Sequence, residues 1–270
     1  MIANVQKLRG DGATRVFYFP YAGGSASSFH YIDNHLGPAF QSYGIDPPGH
    51  GAHSGPYLKD YQSFFQACAD AVLHHLTRPY VLVGYSLGGL VVHDLIQLLQ
   101  DSGRTLPDFT LIGGCLPPHL VSKAFRIKGW HQMSDQEIYK DLFEGYDIPS
   151  ELRENPEYLQ LLLPLYRADS QVFHSYSHRR SGPIKARIQV FGGRDDKDIP
   201  LEDLMEWSGI GLDVKVDVLP GGHMFLRESG KIMAEAIREK MGIRRPFPIH
   251  SEYPRPGMTK SFLKENKNGT

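Results

Sequence analysis

The sequence predicts an α/β fold in which a mostly parallel central sheet is flanked by helices. Short apolar segments alternate along the chain with stretches of helical periodicity, which is typical of a parallel sheet covered on both faces. With 270 residues, of which 41% are hydrophobic, the chain is long enough to bury a core without disulfides or metal ions. No segment approaches the roughly 18 apolar residues that a membrane-spanning helix needs.

Six segments are predicted as strands because they are short, apolar and bounded by turn-forming residues. They are residues 15–21, 41–46, 80–84, 109–115, 188–191 and 214–219. Longer segments with apolar residues at intervals of three and four predict helices over residues 59–76, 87–100 and 224–241.

The alternation of strands and helices is interrupted between residues 117 and 185, where no good strand pattern occurs. Helical stretches at 135–143 and 156–166 lie in this region. It also carries many aromatic residues, including Phe125, Trp130, Phe143, Tyr146, Tyr158, Tyr166, Phe173 and Tyr176. A helical crossover that only fills core is one interpretation. The region is far longer than a normal connection, which favours an insertion that covers one end of the sheet as a lid.

The end of the chain differs in composition from the rest. Residues 242–270 contain four prolines, six basic and two acidic residues, and no periodicity. We therefore predict one folded domain over residues 1–242, followed by a basic tail over residues 243–270 that is solvated or loosely docked.

Charge and cysteine content narrow the function classes. The formal charge is −1, from 29 basic and 30 acidic residues, so no overall field attracts nucleic acid or an anionic membrane. The two cysteines, Cys68 and Cys115, are isolated, which is typical of a reducing compartment rather than of a disulfide framework. Residues 1–16 lack the apolar segment of a secretory signal, so a cytoplasmic protein is expected.

The strongest chemical signal is the sequence Gly-Tyr-Ser-Leu-Gly at residues 84–88, a G-x-S-x-G motif. It directly follows a predicted strand and precedes a predicted helix, which is the context in which this motif presents a nucleophilic serine. A glycine-rich turn with an incidental serine is the alternative, and the bare pattern often occurs by chance. The strand–turn–helix context favours Ser86 as the nucleophile, held at a helix N-terminus that stabilises negative charge.

A serine nucleophile needs a base, and the base needs a partner that orients it. His223 follows a predicted strand within Gly-Gly-His-Met-Phe and is the candidate base. Asp195, Asp196 and Asp198 follow another predicted strand, and each is a candidate for the orienting carboxylate. The order serine, aspartate, histidine along the chain is that of the α/β-hydrolases.

Small residues after the first predicted strand indicate an oxyanion hole. The segment Tyr-Ala-Gly-Gly-Ser at residues 21–25 allows backbone N–H groups to approach a substrate carbonyl, and the expected donors are the N–H groups of Ala22 and Leu87. A phosphate site is the alternative, but neither common glycine-rich nucleotide motif occurs. His50 and His53 are three residues apart, but no matching carboxylate cluster supports zinc, and a structural role is favoured.

Several segments carry a resemblance to a known family: residues 19–25 (FPYAGGS), 47–51 (PPGHG), 84–89 (GYSLGG), 163–169 (LPLYRAD), 192–196 (GGRDD), Trp207 and 221–225 (GGHMF). They span about residues 15–240. The chain resembles the stand-alone type II thioesterases of nonribosomal peptide and polyketide synthesis. The first and fourth segments are the most family-specific, whereas the serine motif is shared by all α/β-hydrolases. Departures from the family occur at residues 172–176 and 179–182 and in the long basic tail.

The resemblance implies an α/β-hydrolase fold with a mobile helical lid over about residues 118–182. It implies a triad of Ser86, Asp196 and His223, with Ala22 and Leu87 at the oxyanion hole. The implied activity is the hydrolysis of acyl or aminoacyl thioesters on the phosphopantetheine arm of carrier proteins, which are the expected partners. No cofactor and no metal ion is implied.

Two other functions remain open at this point. A general carboxylesterase would use the same triad, because esters and thioesters pass through similar tetrahedral intermediates. A non-catalytic interaction module could keep the fold, although every triad position holds a chemically competent residue.

Overall fold

The chain folds around one sheet, as seen in a computed structural model that describes residues 1–124, 129–145, 156–179 and 182–243. Within these residues the sheet has seven strands, in the spatial order β1-β3-β2-β4-β5-β6-β7. They are β1 (Asn4–Arg9), β2 (Thr14–Phe19), β3 (Phe40–Asp46), β4 (Tyr80–Tyr85), β5 (Phe109–Gly113), β6 (Ile184–Gly193) and β7 (Gly211–Leu219). Strand β1 is antiparallel to β3, and the other neighbouring pairs are parallel. The α/β prediction is therefore confirmed.

Helices connect and cover the strands. They are α1 (His30–Asp33), α2 (Tyr61–Val72), α3 (Leu87–Asp101), α4 (Val121–Ala124), α5 (Asp135–Gly145), α6 (Pro156–His174), α7 (Leu201–Met205) and α8 (Leu226–Lys240). Short 3₁₀ helices occur at Ala26–Phe29, Pro118–Leu120, Trp130–Gln132 and Glu206–Gly209. None of the helices described here is long and apolar enough to cross a membrane.

Two apolar layers lie on opposite faces of the sheet. Alternate side chains of a strand point to opposite faces, so Phe17 packs in one layer with α2 and α3, whereas Val16 packs in the other with α8. Strand β4 is buried along its whole length because helices cover it on both faces. This buried central strand ends at Tyr85 and provides a rigid base for Ser86, which follows it.

The six predicted strands all form, with shifted ends that have local causes. The first ends at Phe19 rather than at residue 21 because Pro20 follows it. The strand predicted over 109–115 ends at Gly113, because Gly114 has a φ of 54° that no strand accommodates. Strand β1 was not expected, since its sequence NVQKLR is polar and lies at an exposed edge of the sheet.

The insertion between β5 and β6 is helical where it is described. Helix α6 continues to His174, beyond the predicted end at residue 166, with Pro164 inside it. Buried side chains of α5 and α6, including Ile138 and Leu163, form a small apolar cluster of their own. Tyr176, which follows α6, packs edge-on against Tyr61 of α2 at a ring-centroid distance of 4.6 Å and so ties the end of this segment to the main domain.

Parts of two predictions lie outside the described residues. Residues 125–128, 146–155 and 180–181 belong to the predicted lid, and residues 244–270 make up nearly all of the predicted basic tail. The division into a domain over 1–242 and a tail over 243–270 therefore stays a prediction.

Candidate active site

Ser86 lies on a sharp turn between β4 and α3. Its φ of 51° and ψ of −116° make it the one non-glycine residue with a positive φ among those described. Backbone strain of this kind costs about 1–3 kcal/mol and persists only where the surroundings hold it in place. Here the N–H of Ser86 donates to the carbonyl of Gly113 at 2.8 Å, and the carbonyl of Ser86 accepts from the N–H of Gly89 at 2.8 Å.

The glycines of the serine motif are required by close backbone approach. A Cβ at Gly84 would meet the carbonyl oxygen of Gly88, and a Cβ at Gly88 would meet the carbonyl oxygen of Phe19 at the end of β2. Because the obstructing atoms belong to the backbone, no side-chain movement would relieve them. The motif thus allows α3 to start directly against the strands and to lift Ser86 above the sheet.

Ser86, His223 and Asp196 form one hydrogen-bonded chain. The Nε2 atom of His223 lies 3.1 Å from Oγ of Ser86, and its Nδ1 atom lies 2.8 Å from Oδ2 of Asp196. The other carboxylate oxygen of Asp196 accepts a hydrogen bond from the N–H of Asp198 at 2.9 Å. The Asp196 side chain is 1% exposed, whereas Asp195 points to solvent. Of the three candidate carboxylates, Asp196 is therefore the one hydrogen-bonded to His223.

The loops that carry His223 and Asp196 are joined by backbone hydrogen bonds. The N–H of Asp195 donates to the carbonyl of Gly221 at 2.9 Å, just before His223. From the other side, the hydroxyl of Tyr85 donates to the carbonyl of His223 at 2.6 Å. Tyr85 precedes the nucleophile, so the serine turn and the histidine loop are fixed to each other. No sequence pattern points to this role of Tyr85, because the contact joins residues far apart in the chain.

The surroundings of His223 favour its protonated form. Burial lowers the pKa of its imidazole, but the hydrogen bond with Asp196 and the charges of Asp196 and Asp198 outweigh it, so the pKa of His223 is raised above its ordinary value. The same three residues offer ligand atoms within 4.8 Å of one another, as a metal site would. Because Nδ1 and Oδ2 already share a hydrogen bond and Nε2 faces Ser86, the arrangement fits proton transfer better than metal binding.

Ala22 and Leu87 line the same cavity as Ser86 and His223. Leu87 is the first residue of α3, where backbone N–H groups have no acceptor within the helix. Ala22 lies in a turn after β2 that is closed by a hydrogen bond from the N–H of Gly24 to the carbonyl of Tyr21 at 2.8 Å. Both residues predicted for the oxyanion hole are therefore at the site.

The cavity beside Ser86 has a volume of about 200 Å³ and a mostly apolar wall. One part of its wall is formed by the main domain, through residues such as Leu90 and Leu116. Another part is formed by the insertion, through residues that include Trp130, Met133 and Phe173. The insertion therefore contributes to the wall of the cavity that contains Ser86.

A family model described as "Thioesterase domain" matches residues 14–241 of the chain. The chain belongs to the thioesterase family. This confirms the resemblance seen in the sequence and the prediction of a thioesterase enzyme.

Individual relatives of this thioesterase cover nearly its whole length. The gramicidin S biosynthesis protein GrsT of Aneurinibacillus migulanus is 26% identical over 84% of this chain and 88% of its own. The linear gramicidin dehydrogenase LgrE of Brevibacillus parabrevis is 29% identical over 87% of this chain and 90% of its own. The solved structure of the type II thioesterase BorB, from the borrelidin biosynthetic cluster, has a TM-score of 0.74 and 22% identity, and covers 88% of this chain and 96% of that one. The structural match confirms the fold.

Two histidines that sequence analysis considered as metal ligands have protein partners in this thioesterase. His53 Nε2 lies 3.0 Å from the carbonyl oxygen of Ile2 at the surface. His50 is buried, and its Nε2 atom lies 2.8 Å from Oδ2 of Asp169 on α6. Sequence analysis assigned no role to Asp169. The only signal was that both residues fall in the segments that carry the family resemblance.

Proposed function

We propose that the protein hydrolyses acyl or aminoacyl thioesters carried on the 4′-phosphopantetheine arm of carrier proteins, through an acyl-enzyme on Ser86. The observation that carries this proposal is the hydrogen-bonded chain of Ser86, His223 and Asp196 at a cavity whose wall the insertion helps to form. The proposed role is editing, in which stalled or wrongly primed acyl groups are removed from a biosynthetic synthase.

The first half of the reaction transfers the acyl group to the enzyme. Neutral His223 carries its proton on Nδ1, because Asp196 can only accept there, and Nε2 is free to take the proton of Ser86. The serine oxygen attacks the thioester carbonyl and forms a tetrahedral intermediate. The C–S bond then breaks, the imidazolium gives its proton to the departing pantetheine sulfur, and the carrier leaves with a free thiol.

The second half regenerates the enzyme. A water molecule takes the place of the pantetheine thiol, and His223 removes a proton from it as the oxygen attacks the acyl-serine carbonyl. The second tetrahedral intermediate collapses when the imidazolium protonates the serine oxygen. In both halves Asp196 accepts the hydrogen bond from Nδ1, holds the ring orientation and stabilises the imidazolium.

The N–H groups of Ala22 and Leu87 are the proposed donors to the carbonyl oxygen of the substrate. Negative charge develops on this oxygen only as the tetrahedral intermediate forms, so the donors stabilise the transition state more than the bound substrate. Loss of one such donor typically costs about 3–4 kcal/mol of transition-state stabilisation. The dipole of α3, which begins at Leu87, acts in the same direction.

The enclosing cavity supports a substrate delivered on a long, narrow arm. The acyl group would lie against the apolar wall beneath the insertion, while the pantetheine arm passes between the insertion and the main domain. The names of the relatives agree with this role, since GrsT is a biosynthesis protein and BorB is a type II thioesterase from a biosynthetic cluster.

A comparison of two substrates with the same acyl group tests the proposal. One is the acyl group on a holo-carrier protein, and the other is the same acyl group as a simple alkyl ester, each incubated with the wild-type protein and with Ser86→Ala. We expect the carrier-bound thioester to be hydrolysed with a kcat/KM at least about tenfold higher, and only by the wild type. A preference for the ester would indicate a general carboxylesterase. Absence of turnover and of Ser86 labelling by a fluorophosphonate would indicate a non-catalytic module.

A further inference from the structure

A second buried histidine–carboxylate pair lies beside the catalytic chain. His50, in the turn after β3, and Asp169, on α6, have side chains that are 2% and 1% exposed. Oδ2 of Asp169 accepts two hydrogen bonds, one from Nε2 of His50 at 2.8 Å and one from the backbone N–H of Gly23 at 2.6 Å. Three segments that are distant in sequence therefore converge on one carboxylate oxygen.

The contacts of His50 define its protonation state. Its Nδ1 atom lies 3.1 Å from the carbonyl oxygen of Pro48, and its Nε2 atom lies 2.8 Å from Asp169. The Pro48 carbonyl oxygen can only accept and a carboxylate at Asp169 accepts as well, so these contacts favour the imidazolium, in which both ring nitrogens donate. Burial lowers the pKa of His50, but the hydrogen bond with Asp169 and the charge of Asp169 outweigh it and leave the pKa raised. The geometry and the raised pKa of His50 therefore favour a buried imidazolium–carboxylate pair.

Stability alone does not explain this pair. Buried ion pairs contribute little net stability relative to apolar residues of similar size, because both charges must be removed from water. The second oxygen of Asp169, Oδ1, is buried without a hydrogen-bond partner among the described residues, which adds a further cost. Arrangements that break a packing rule in this way occur mainly at functional sites.

The backbone group that Asp169 holds belongs to the turn of the oxyanion hole. Gly23 is the third residue of the turn from Tyr21 to Gly24, and its φ of 77° is the value that a type II turn requires there. The N–H that donates to Asp169 is part of the peptide that joins Ala22 to Gly23. Fixing this peptide plane fixes the backbone on the carboxyl side of Ala22. Tyr166, one turn before Asp169 on α6, packs against Gly23 so closely that a Cβ there would meet its ring.

We propose that Asp169, paired with His50, is a positioning residue that aims the N–H of Ala22 at the carbonyl oxygen of the substrate. This inference rests on the proposed function and deepens it, because it explains how one of the two oxyanion donors is held. Asp169 lies on α6 of the insertion, so the oxyanion hole is complete only while this helix is docked on the main domain. Closure of the insertion and completion of the hole are therefore one event.

The test compares two buried or partly buried aspartates, each of which accepts a backbone N–H and pairs with a basic side chain. Asp169→Asn removes the charge that faces His50 and leaves a neutral amide oxygen to accept from both His50 and the N–H of Gly23. The control is Asp108→Asn. Asp108 also accepts a backbone N–H, from Tyr80 at 3.0 Å, and also pairs with a cation, Arg78, but it lies at the amino end of the parallel strands, whereas Ser86 follows their carboxyl end. Both variants are expected to lower the melting temperature.

Two readouts separate positioning from stability. The first is kcat and KM on a small acyl thioester, measured well below the melting temperature. The rate is expressed per active site, and the active sites are counted by complete labelling with a fluorophosphonate. The second is the rate at which the fluorophosphonate labels Ser86, since its phosphoryl oxygen also occupies the oxyanion hole. For Asp169→Asn we expect kcat and the labelling rate to fall about 10- to 100-fold, with KM changed less than about threefold. For Asp108→Asn we expect both rates to stay within about twofold of the wild type.

Each outcome is decisive. Asp169→Asn with wild-type kcat and labelling rate would overturn the proposal, as would an equal loss in Asp108→Asn. If Asp169→Asn does not fold, His50→Gln takes its place, because the glutamine amide keeps a donor to Asp169 but removes the positive charge that holds the carboxylate in position. A fall in both rates of at least about fivefold supports the proposal, and unchanged rates overturn it. The labelling rate is measured without an acyl carrier protein. Failure of the proposed function would therefore be recognised separately, as a protein whose Ser86 is labelled but which does not hydrolyse carrier-bound thioesters.

Discussion

Asp196 and Asp195 are adjacent in sequence. Replacing each in turn by asparagine distinguishes the carboxylate that orients His223 from one that only lies in a solvated turn. The carboxylate of Asp196 accepts two hydrogen bonds, from Nδ1 of His223 at 2.8 Å and from the N–H of Asp198 at 2.9 Å. An asparagine has only one acceptor oxygen at this position. Asp196→Asn therefore retains one of these two contacts and reverses the other.

The structure determines which contact is retained. The backbone N–H of Asp198 can only donate, so the amide oxygen stays with it and the amide NH₂ faces His223. The ring then accepts at Nδ1 and carries its proton on Nε2, the nitrogen that lies 3.1 Å from Ser86. Ser86 loses its base without any change in packing. In serine hydrolases this wrong tautomer lowers kcat about 10⁴-fold, which corresponds to about 5 kcal/mol of transition-state stabilisation.

The assay is kcat on one acyl thioester near pH 8, together with the melting temperature of each variant. We expect Asp196→Asn to fold and to lose about 10⁴ in kcat. Asp195→Asn is the control: its side chain is exposed and its backbone bond to Gly221 remains, so kcat should stay within about twofold of the wild type. A larger loss in the Asp195 variant, or equal losses in both, would refute the assignment of the orienting carboxylate.

Four further expectations concern the triad and the residues around it. Ser86→Ala should fold as the wild type does and abolish acyl hydrolysis, because alanine adds no bulk at the turn; turnover near the wild-type rate in the purified variant would contradict the triad. Because the pKa of His223 is raised and only its neutral form is a base, kcat/KM should rise with pH through a midpoint above 6.5; a midpoint below 6.5 would contradict the geometry. Because the pKa values of His50 and His223 are raised in the folded state, their protonation stabilises the fold fully at pH values below the unfolded pKa of about 6.5, and this stability is lost as pH rises through the folded pKa values. The urea concentration at the unfolding midpoint, measured at increasing pH, should therefore fall. A midpoint concentration that rises over this range would argue against the buried ion pair. Gly88→Ala should lower the free energy of unfolding by about 1–3 kcal/mol and reduce activity, since its Cβ meets the carbonyl of Phe19; a variant as stable as the wild type would show that the turn adapts.

Local sequence patterns were sufficient for the central part of the fold. The run of apolar residues in β4, the serine motif and the start of α3 are continuous in the chain, so neighbouring residues carry the whole signal. Strand β1 was missed because an exposed edge strand has no need of apolar residues. The predicted end of α6 at residue 166 was too early, since the helix continues to His174.

The site was predictable in kind but not in all its contacts. Ser86 and His223 stand in motifs with a recognisable context, whereas the choice of Asp196 over its neighbour depended on a family pattern. No local pattern could pair His50 with Asp169, since these residues are separated by 119 positions and meet only when the insertion docks. Contacts between distant segments therefore account for most of what the sequence did not reveal.

The most direct test of the central proposal follows a single acyl group from the carrier to the enzyme. An acyl-loaded carrier protein is mixed with an equal amount of the wild-type protein, and the reaction is quenched in acid within the first turnover. The masses of both intact proteins are then measured by mass spectrometry. We expect the carrier to lose the acyl mass, the enzyme to gain it, and the modified peptide to contain Ser86. Loss of the acyl group from the carrier with Ser86→Ala in place of the wild type, or acylation at another residue, would contradict the mechanism.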